Sequence, residues 1–209
     1  MIIGITGPIA SGKDILLNIM LKNLNKKNIS IIDADIEGKE LVQIYWKDIE
    51  KMYNVNSKQE FSKLVFSNIE NLKNYNNYIH PKLSSILKKK LLKFAGNQKN
   101  SNCHKFNNQK LLILNCALLH LFKLEFLCNK IIFIDSSPEL RLQRLINRNN
   151  LCEESAKNII KLQMLIENYT SIKKIKINDK KYSIIENNAG LTDFETSITE
   201  TLDKISKNL

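Results

Sequence analysis

Residues 1–14 read MIIGITGPIASGKD, and this stretch decides the fold. Its opening run is apolar and β-branched apart from a single glycine, which is the composition of a buried strand. Residues 7–13 match the pattern G-x-x-x-x-G-K, in which backbone N–H groups surround phosphates and the lysine reaches the β- and γ-phosphates. Residues 15–24 then place apolar side chains on one wide helical face. The stretch predicts a strand, a phosphate-binding loop and a helix whose N-terminus favours an anion.

The last position of the loop departs from the pattern. Asp14 stands where a serine or threonine hydroxyl ordinarily holds Mg²⁺. Three interpretations stay open: the carboxylate binds Mg²⁺ directly, it only stabilises the helix N-terminus, or it occupies the anion site and weakens ATP binding. A plain strand-turn-helix without a ligand is the simplest alternative, but the full spacing and both flanks of the loop disfavour it.

The backbone donors of the loop define the expected nucleotide contacts. Pro8 has no N–H, so the donors must come from the residues that follow it. The predicted ATP-binding residues in this stretch are Ala10, Ser11, Gly12, Lys13, Asp14 and Ile15. Because Ala10 carries a Cβ, we expect its φ to stay negative.

Composition restricts the class of protein. The 209 residues are 43 % hydrophobic and 25 % charged, typical of a soluble globular chain with one substantial core and a smaller mobile part. The net charge is +11, but the lysines are spread along the chain among many Asn and Ile residues. The positive charge is therefore better explained by a polyphosphate ligand and by a compositional bias toward Lys, Asn and Ile than by a nucleic-acid partner, for which the sequence contains no motif.

Cysteine spacing and hydropathy indicate the compartment. The four cysteines form no C-x-x-C pair, which argues against a zinc site or a disulfide framework: Cys103, Cys116, Cys128 and Cys152. No apolar stretch is long enough to span a bilayer, and a strand at the N-terminus leaves no place for a signal peptide. We expect a cytoplasmic protein with reduced thiols and no membrane partner, either a monomer or a weak homo-oligomer.

Strand and helix patterns alternate along the chain. Strands are predicted at residues 28–33, 110–115, 130–135 and 181–186. The first of these ends at Asp33, followed closely by Asp35, at the carboxyl end where open α/β sheets bind ligands. Either aspartate could instead cap the next helix; we favour a functional role for Asp33 and a capping role for Asp35. The alternation predicts a three-layer α/β fold with a parallel sheet.

Helix signals fill the segments between the strands. Residues 37–92 are helical, with a capping box at Ser57–Glu60 and a break at His80-Pro81, where a new helix begins. Further helices begin after Ser137, span residues 153–167, and start from a cap at Thr192. The polar stretch 96–109 is predicted to be a loop, and the lysine-rich residues 173–176 a solvated surface.

Taken together, these motifs resemble those of the dephospho-CoA kinase family over nearly the whole chain. The resemblance rests on the loop, on residues 31–35 (IIDAD), on His80-Pro81, on the arginine helix 138–148 with residues 151–163 after it, and on residues 188–190. It implies a P-loop NTPase-like parallel sheet with an inserted helical substrate subdomain and a helical lid. The implied boundaries within one domain, 1–209, are a core of about 1–35, 110–150 and 182–209, a CoA subdomain of about 36–95, and a lid of about 150–180.

The resemblance also implies an activity and roles for residues. The family transfers the γ-phosphoryl group of ATP, with Mg²⁺, to the ribose 3′-hydroxyl of dephospho-CoA, giving coenzyme A and ADP in the last step of CoA synthesis. Lys13 would neutralise phosphate charge, Asp33 would orient or deprotonate the hydroxyl, and Arg144 with Arg148 would close over the phosphates. The implied remaining contacts are Lys39 and His80 to the CoA substrate, and Asn188 to Gly190 to adenine.

Several positions depart from the family pattern around the expected site. Asp14 is one; Lys39 replaces an arginine, Ser84 stands where an arginine is usual, and Asn115 replaces an aspartate. A glutamate that normally follows is also missing, with His120-Leu121 in its place. The expected site therefore combines residues that match the family pattern, Asp33, Arg144 and Arg148, with several positions that depart from it.

Three functions stay open from the sequence. The leading one is an active but divergent dephospho-CoA kinase. The second is a nucleoside or nucleotide kinase with another acceptor, and the third is a degenerate P-loop protein that binds nucleotide or CoA without catalysis. His80, which precedes a proline, fits a residue of a helix N-terminus as well as it fits a substrate contact.

Overall fold

A parallel sheet forms the centre of the protein. The computed structural model describes residues 1–23, 28–67, 69–99, 110–149, 152–167 and 179–207. In these residues the strand order is β2-β3-β1-β4-β5, and every pair is parallel. The strands are β1 (Ile2–Thr6), β2 (Ile29–Asp33), β3 (Leu111–Asn115), β4 (Lys130–Asp135) and β5 (Tyr182–Glu186). Parallel pairing brings all their carboxyl ends to one edge, which holds the loop after β1 and Asp33, the last residue of β2.

Helices connect the strands and cover the sheet. They are α1 (Lys13–Asn23), α2 (Ala34–Ile44), α3 (Trp46–Tyr53), α4 (Lys58–Ser67), α5 (Ile69–Lys99), α6 (Pro138–Asn149), α7 (Glu153–Ile166) and α8 (Leu191–Lys207). A short 3-10 helix spans Glu125–Leu127. Within the described ranges, none of these helices has both the length and the apolar composition needed to cross a membrane.

Alternating strand residues divide the core into two layers. Ile2, Leu112 and Leu114 pack with buried side chains of α2 and α5 on one face of the sheet. Their neighbours Ile3 and Ile113 point the other way and pack with α1 and α8. Because successive strand side chains face opposite sides, helices cover both faces, and the predicted three-layer α/β fold is confirmed. A third apolar cluster joins α3, α4 and α5.

Two helix starts follow the predicted capping signals. Ser57 Oγ accepts a hydrogen bond from the Glu60 N–H at 3.1 Å, and Glu60 Oε2 accepts one from the Asn56 N–H at 2.9 Å. Ser137 Oγ accepts a hydrogen bond from the Leu140 N–H at 3.3 Å at the start of α6. In both places the side chain satisfies an N–H group that the helix itself leaves without a partner.

The predicted break at Pro81 is wrong, because α5 continues through it. Ile79 and Leu83, on either side of the proline, are both buried in the same core, so the apolar stripe of the helix is uninterrupted. Proline removes a single N–H from the helix, the one that would bond to the carbonyl of residue 77. Burial on both sides therefore outweighs the local cost of the proline.

Other predicted boundaries shift. Residues 96–99, where a loop was expected to begin, belong to α5, which runs to Lys99; residues 100–109 lie outside the described residues. The last helix begins at Leu191, so Thr192 does not cap it, and the Phe194 N–H donates to the carbonyl of Gly190 at 3.1 Å. The lysine-rich residues 173–176 and Cys103 also lie outside the described part.

Candidate active site

The loop after β1 has a backbone that curls through left-handed conformations. The φ angles are 142° at Gly7, 58° at Ala10 and 112° at Gly12. A Cβ at Gly7 would collide with the carbonyl of Ile134, so this position has room only for glycine. The expected negative φ at Ala10 is wrong: the curl of the loop forces it positive, at a cost of about 1–3 kcal/mol for a residue with a Cβ.

Lys13 lies inside the curve of the loop and is half-buried. Its Nζ donates hydrogen bonds to the carbonyls of Gly7 and Pro8, each at 2.9 Å. Burial lowers the pKa of Lys13 to about 8, and the carboxylates of Asp35 and Asp14 oppose part of that shift. The loop thus holds a cation against its own carbonyls, next to two acidic side chains.

A cavity of about 800 Å³ opens over the loop, a volume suited to a small-molecule ligand. Five of the predicted ATP-binding residues line it: Ala10, Gly12, Lys13, Asp14 and Ile15. Asp35, Arg144 and Gln163 line it from other elements. The side chain of Ser11 is fully buried, so only its backbone belongs to the loop surface.

Arg144 connects α6 to the loop and to the end of β5. Its Nη1 donates to the Ala10 carbonyl at 3.4 Å and to Ser136 Oγ at 3.0 Å. Its Nη2 donates to the backbone O and the side-chain Oδ1 of Asn187 at 3.0 and 3.2 Å. Arg148 lies in the last turn of α6, and its side chain is outside the described part of the structure. Of the two predicted arginines, Arg144 is therefore placed at the cavity.

Asp33 uses both carboxylate oxygens within the protein. Oδ1 accepts from the Asp35 and Ile36 N–H groups at 2.9 and 3.2 Å, so Asp33 is the N-cap of α2. Oδ2 accepts from Asn115 Nδ2 at 2.8 Å. The predicted capping role of Asp35 is wrong, because the carboxylate of the residue just before a helix reaches its first N–H groups.

Asp35 lies at the cavity instead. Loss of surrounding water raises its pKa, and the neighbouring carboxylate of Asp33 raises it further, while Lys13 lowers it. Its side chain remains exposed at the cavity wall. Asp35 is thus a second carboxylate on the side of the cavity where Asp33 was expected to act.

The predicted substrate contacts lie farther from the loop. Lys39 is exposed on α2, and His80 is half-buried on α5 with its ring edge against Phe122, the centroids 5.3 Å apart. Burial lowers the pKa of His80 to about 4, so its imidazole is neutral near pH 7. Neither side chain lines the cavity over the loop.

The turn after β5 has a structural role that its sequence did not indicate. Asn188 Oδ1 accepts a hydrogen bond from the Ser137 N–H at 2.7 Å, which ties the turn to the start of α6. Gly190 precedes α8, and neither residue lines the cavity. Asn187 and Ser136, which hold Arg144, are site residues that no sequence motif predicted. Their position directly after β5 and β4, at the carboxyl edge of the sheet, is the signal that could have found them.

The donor set at the cavity fits a magnesium ion carried by a nucleotide. Among the described residues, no group of three or more His, Cys, Asp or Glu side chains is arranged to hold a metal alone. Asp14, exposed in the first turn of α1, nevertheless lines the same cavity as Asp35. Mg²⁺ is commonly held by one or two carboxylates together with substrate phosphates and water, so these residues suit it.

Comparison with known proteins gives consistent results. The profile of the CoaE family, described as dephospho-CoA kinase, matches residues 1–192. The dephospho-CoA kinase of Fusobacterium nucleatum is 31 % identical over 204 residues, covering 92 % of each chain. That of Borreliella burgdorferi is 31 % identical over 199 residues, covering 89 % of each chain.

A solved structure supports the fold. Dephospho-CoA kinase from Campylobacter jejuni superposes with a TM-score of 0.58 at 21 % identity, covering 99 % of this chain and 98 % of that one. At this identity the likeness concerns the fold alone. The profile match and the curated relatives determine the assignment: the chain belongs to the dephospho-CoA kinase family.

Proposed function

We propose that this protein transfers the γ-phosphoryl group of ATP to the ribose 3′-hydroxyl of dephospho-CoA, giving coenzyme A and ADP in the last step of CoA biosynthesis. The observation that carries the proposal is the cavity lined by the phosphate loop, by Arg144 and by Asp35, which follows the end of β2. Phosphoryl transfer requires a held triphosphate, neutralised charge and an oriented hydroxyl, and these three groups supply those needs.

The loop side of the cavity would bind ATP. Lys13 would exchange its bonds to the Gly7 and Pro8 carbonyls for the β- and γ-phosphates, which are stronger partners for an ammonium ion. Arg144 would face the phosphates with a guanidinium already oriented by Ser136 and Asn187. Positioning these charges before the substrate arrives lowers the cost of stabilising the transition state.

Asp33 would orient the acceptor hydroxyl and take its proton. The α2 N–H groups and Asn115 fix its carboxylate in one direction, and Oδ2, which accepts only the bond from Asn115 Nδ2, keeps acceptor capacity for a hydroxyl. Asp35 is the second candidate for this role, since it lines the cavity directly. Lys39 and His80 would hold more distant parts of the CoA substrate, His80 as a neutral imidazole.

Mg²⁺ would be held by Asp14 together with the phosphates. The carboxylate at this position replaces a neutral hydroxyl, so it brings its own negative charge to the ion. When bound, the ion neutralises charge that develops on the β- and γ-phosphoryl oxygens.

A non-catalytic nucleotide-binding protein is the second candidate. The hydrogen bonds of Asp33 favour this candidate, because both carboxylate oxygens already accept hydrogen bonds within the protein. Oδ1 caps α2, and Oδ2 accepts from Asn115 Nδ2. In that case the cavity binds ATP and no hydroxyl is activated. A kinase for another acceptor is the third candidate, which depends on the pocket formed by residues 36–95. The cytoplasmic location and the monomeric or weakly oligomeric state stay predictions.

An assay of product and acceptor separates these candidates. Purified protein is incubated with Mg²⁺-ATP and dephospho-CoA, ADP release is followed, and the new phosphate is located with a 3′-specific nucleotidase. We expect ADP and CoA in equal amounts, and little ADP when a nucleoside or nucleoside monophosphate replaces dephospho-CoA. ATP binding without ADP release would support the non-catalytic protein, and turnover of another acceptor alone would support the third candidate.

A further inference from the structure

Asn187 lies at the junction of the elements that surround the phosphate loop. It follows β5 directly and is 4 % exposed. Its N–H donates to the Asp135 carbonyl at 2.8 Å, which continues the pairing of β4 and β5 by one residue. The backbone of Asn187 is therefore fixed at the carboxyl edge of the sheet, and its side chain starts from a rigid base.

The side-chain amide of Asn187 bridges the loop and Arg144. Its Nδ2 donates to the Ser11 carbonyl at 2.8 Å, and its Oδ1 accepts from Arg144 Nη2 at 3.2 Å. A carbonyl can only accept and a guanidinium can only donate, so these two partners determine which end of the amide is oxygen. A carboxylate at this position would keep the arginine contact but lose the donor to the loop.

The backbone carbonyl of Asn187 strengthens the same junction. It accepts from Arg144 Nη2 at 3.0 Å and from Ser136 Oγ at 2.9 Å. Ser136 Oγ in turn accepts from Arg144 Nη1 at 3.0 Å. The guanidinium of Arg144 is thus held by groups from the ends of both β4 and β5, with Asn187 as the shared member.

The bond to Ser11 controls the direction of a loop peptide. Ser11 lies between Ala10 and Gly12, which both have positive φ, so the path of the loop here depends on outside contacts. In a trans peptide the carbonyl and the next N–H point in opposite directions. Holding the Ser11 carbonyl on Asn187 therefore turns the Gly12 N–H away from Asn187. Because a Cβ on Gly12 would collide with Asn187 Nδ2, the two residues also pack too closely for any larger side chain.

We propose that Asn187 is a positioning residue for ATP, which sets the direction of the Ser11–Gly12 peptide and of the Arg144 guanidinium together. The inference rests on the proposed function only in taking ATP as the phosphoryl donor. Asn187 need not touch the nucleotide, because it acts through two groups that do. Losing its amide leaves the buried Ser11 carbonyl without its donor and removes the side-chain acceptor of Arg144 Nη2, which then keeps only the backbone carbonyl of Asn187.

Two substitutions at Asn187 test this role through direct binding of a fluorescent ATP analogue without any acceptor. Asn187→Asp removes the donor to Ser11 but keeps an acceptor for Arg144, whereas Asn187→Ala removes both. We expect both variants to weaken binding about tenfold or more, because a buried carbonyl loses its partner. We expect the KM for dephospho-CoA to change little. Wild-type affinity in Asn187→Asp would overturn the proposal.

Asn129→Ala is the matched control for a purely structural asparagine. Asn129 Oδ1 accepts from the Ile2 N–H at 2.7 Å at the opposite, amino-terminal end of the sheet. We expect its loss to lower the Tm while ATP affinity stays at the wild-type value. If Asn129→Ala weakens ATP binding as much as Asn187→Ala at a matched loss of Tm, Asn187 acts only through stability and the proposal is wrong.

A double-mutant cycle with Arg144→Ala tests the coupling, and Asn187→Asp replaces Asn187→Ala in the cycle if the alanine variant does not fold. If Asn187 works partly through Arg144, the double variant loses less affinity than the product of the two single losses. A loss equal to the product of the two single losses would contradict the coupling.

Wild-type protein that binds ATP but forms no CoA would overturn the proposed function and leave the Asn187 result intact. Wild-type protein that binds no ATP would overturn both.

Discussion

The proposed phosphate side and the proposed acceptor side of the site differ in the kind of group that would bind the ligand. The phosphate side, residues 7–14 with Arg144, is a curled backbone held by buried contacts such as the bond from Asn187 to Ser11. The proposed acceptor side, Asp33, Lys39, His80 and Asn115, lies outside the lining of the cavity over the loop and consists of single side chains at the ends of strands and along helices. Within it, the bond from Asn115 to Asp33 at 2.8 Å is the direct contact that the structure records.

This difference explains which altered positions matter. Backbone N–H groups are present whatever the side chain, so the phosphate side can accept an aspartate at position 14 and still hold phosphates. On the acceptor side each contact depends on residue identity, and Lys39 offers a point charge where an arginine would offer a planar fork. We therefore expect nucleotide binding to be robust, and the acceptor step to be where this chain departs from its relatives.

The largest effect is expected from Lys13→Ala. The variant removes the ammonium group that lies within the loop, and with it the charge that we propose neutralises the β- and γ-phosphates. We expect kcat/KM for ATP to fall on the order of a thousandfold, as when a preorganised electrostatic group is removed. Lys22→Ala, an exposed lysine at the end of the same helix, is the control and should retain activity. A loss below tenfold in Lys13→Ala would mean that the phosphates bind elsewhere.

Asp33→Asn separates catalysis from helix capping. Asparagine caps helices about as well as aspartate, so α2 keeps its N-cap while the carboxylate is lost. We expect kcat to fall about a hundredfold, the usual contribution of a general base, with the Tm nearly unchanged. Steady-state kinetics and thermal unfolding measure the two effects.

Asp33→Ala is the companion variant, since it removes both roles. It should lose the same activity and also about 1 kcal/mol of stability from the missing cap. Full activity in Asp33→Asn would show that Asp33 only caps α2, and Asp35→Asn would then be tested as the residue that activates the hydroxyl.

A smaller effect is expected from pH. Burial lowers the pKa of Lys13 to about 8, so above that pH the amine becomes neutral and no longer attracts phosphate. We expect ATP affinity to fall as pH rises beyond 8, approaching about tenfold per unit, with proton uptake on binding. The stability of the free protein should change in the opposite direction. Between the pKa of Lys13 in the folded protein and its ordinary value of 10.5, the unfolded chain binds more protons than the folded one. The free energy of unfolding therefore rises with pH through that window.

Calorimetry in buffers of different ionisation enthalpy measures this uptake. Lys13→Arg provides the control, because a guanidinium stays charged throughout the range and its ATP affinity should not follow the same pH dependence. An identical pH profile in both proteins would assign the titration to another group.

The smallest effect on activity is expected from Ser57→Ala, which lies away from both sides of the cavity. Its Oγ caps α4 through the Glu60 N–H at 3.1 Å. Losing this bond should cost about 1 kcal/mol and lower the Tm by about 2–4 °C, while kcat and both KM values stay unchanged. A large loss of activity would mean that the acceptor side depends on the order of the whole helical subdomain.

Local signals in the sequence were sufficient to predict most of the fold. The apolar runs predicted the strands, and the serines predicted to cap helices, Ser57 and Ser137, accept hydrogen bonds from N–H groups in the first turns of α4 and α6. Pro81 was misread because local propensity disfavours proline in a helix, whereas burial on both sides of it is a tertiary effect. Ala10 was misread for a similar reason, since its φ is set by the path of the loop.

The candidate site was predictable only in part. The loop pattern identified five residues of the cavity lining, because a continuous motif contains its own spacing. The contacts of Asn187 with Ser136 and Arg144, and the contact of Asn115 with Asp33, depend on which strand ends are neighbours in the sheet. That information comes from the strand order, in which β2 adjoins β3 and β5 adjoins β4.

The central claim is that the chain phosphorylates dephospho-CoA although its acceptor side is altered. The most direct measurement is ADP release by wild-type protein with saturating Mg²⁺-ATP, with and without dephospho-CoA, beside a direct measurement of ATP affinity. We expect ATP binding in both cases, and ADP release that depends on dephospho-CoA and equals the CoA formed. Tight ATP binding with no ADP release that depends on dephospho-CoA would contradict the central claim.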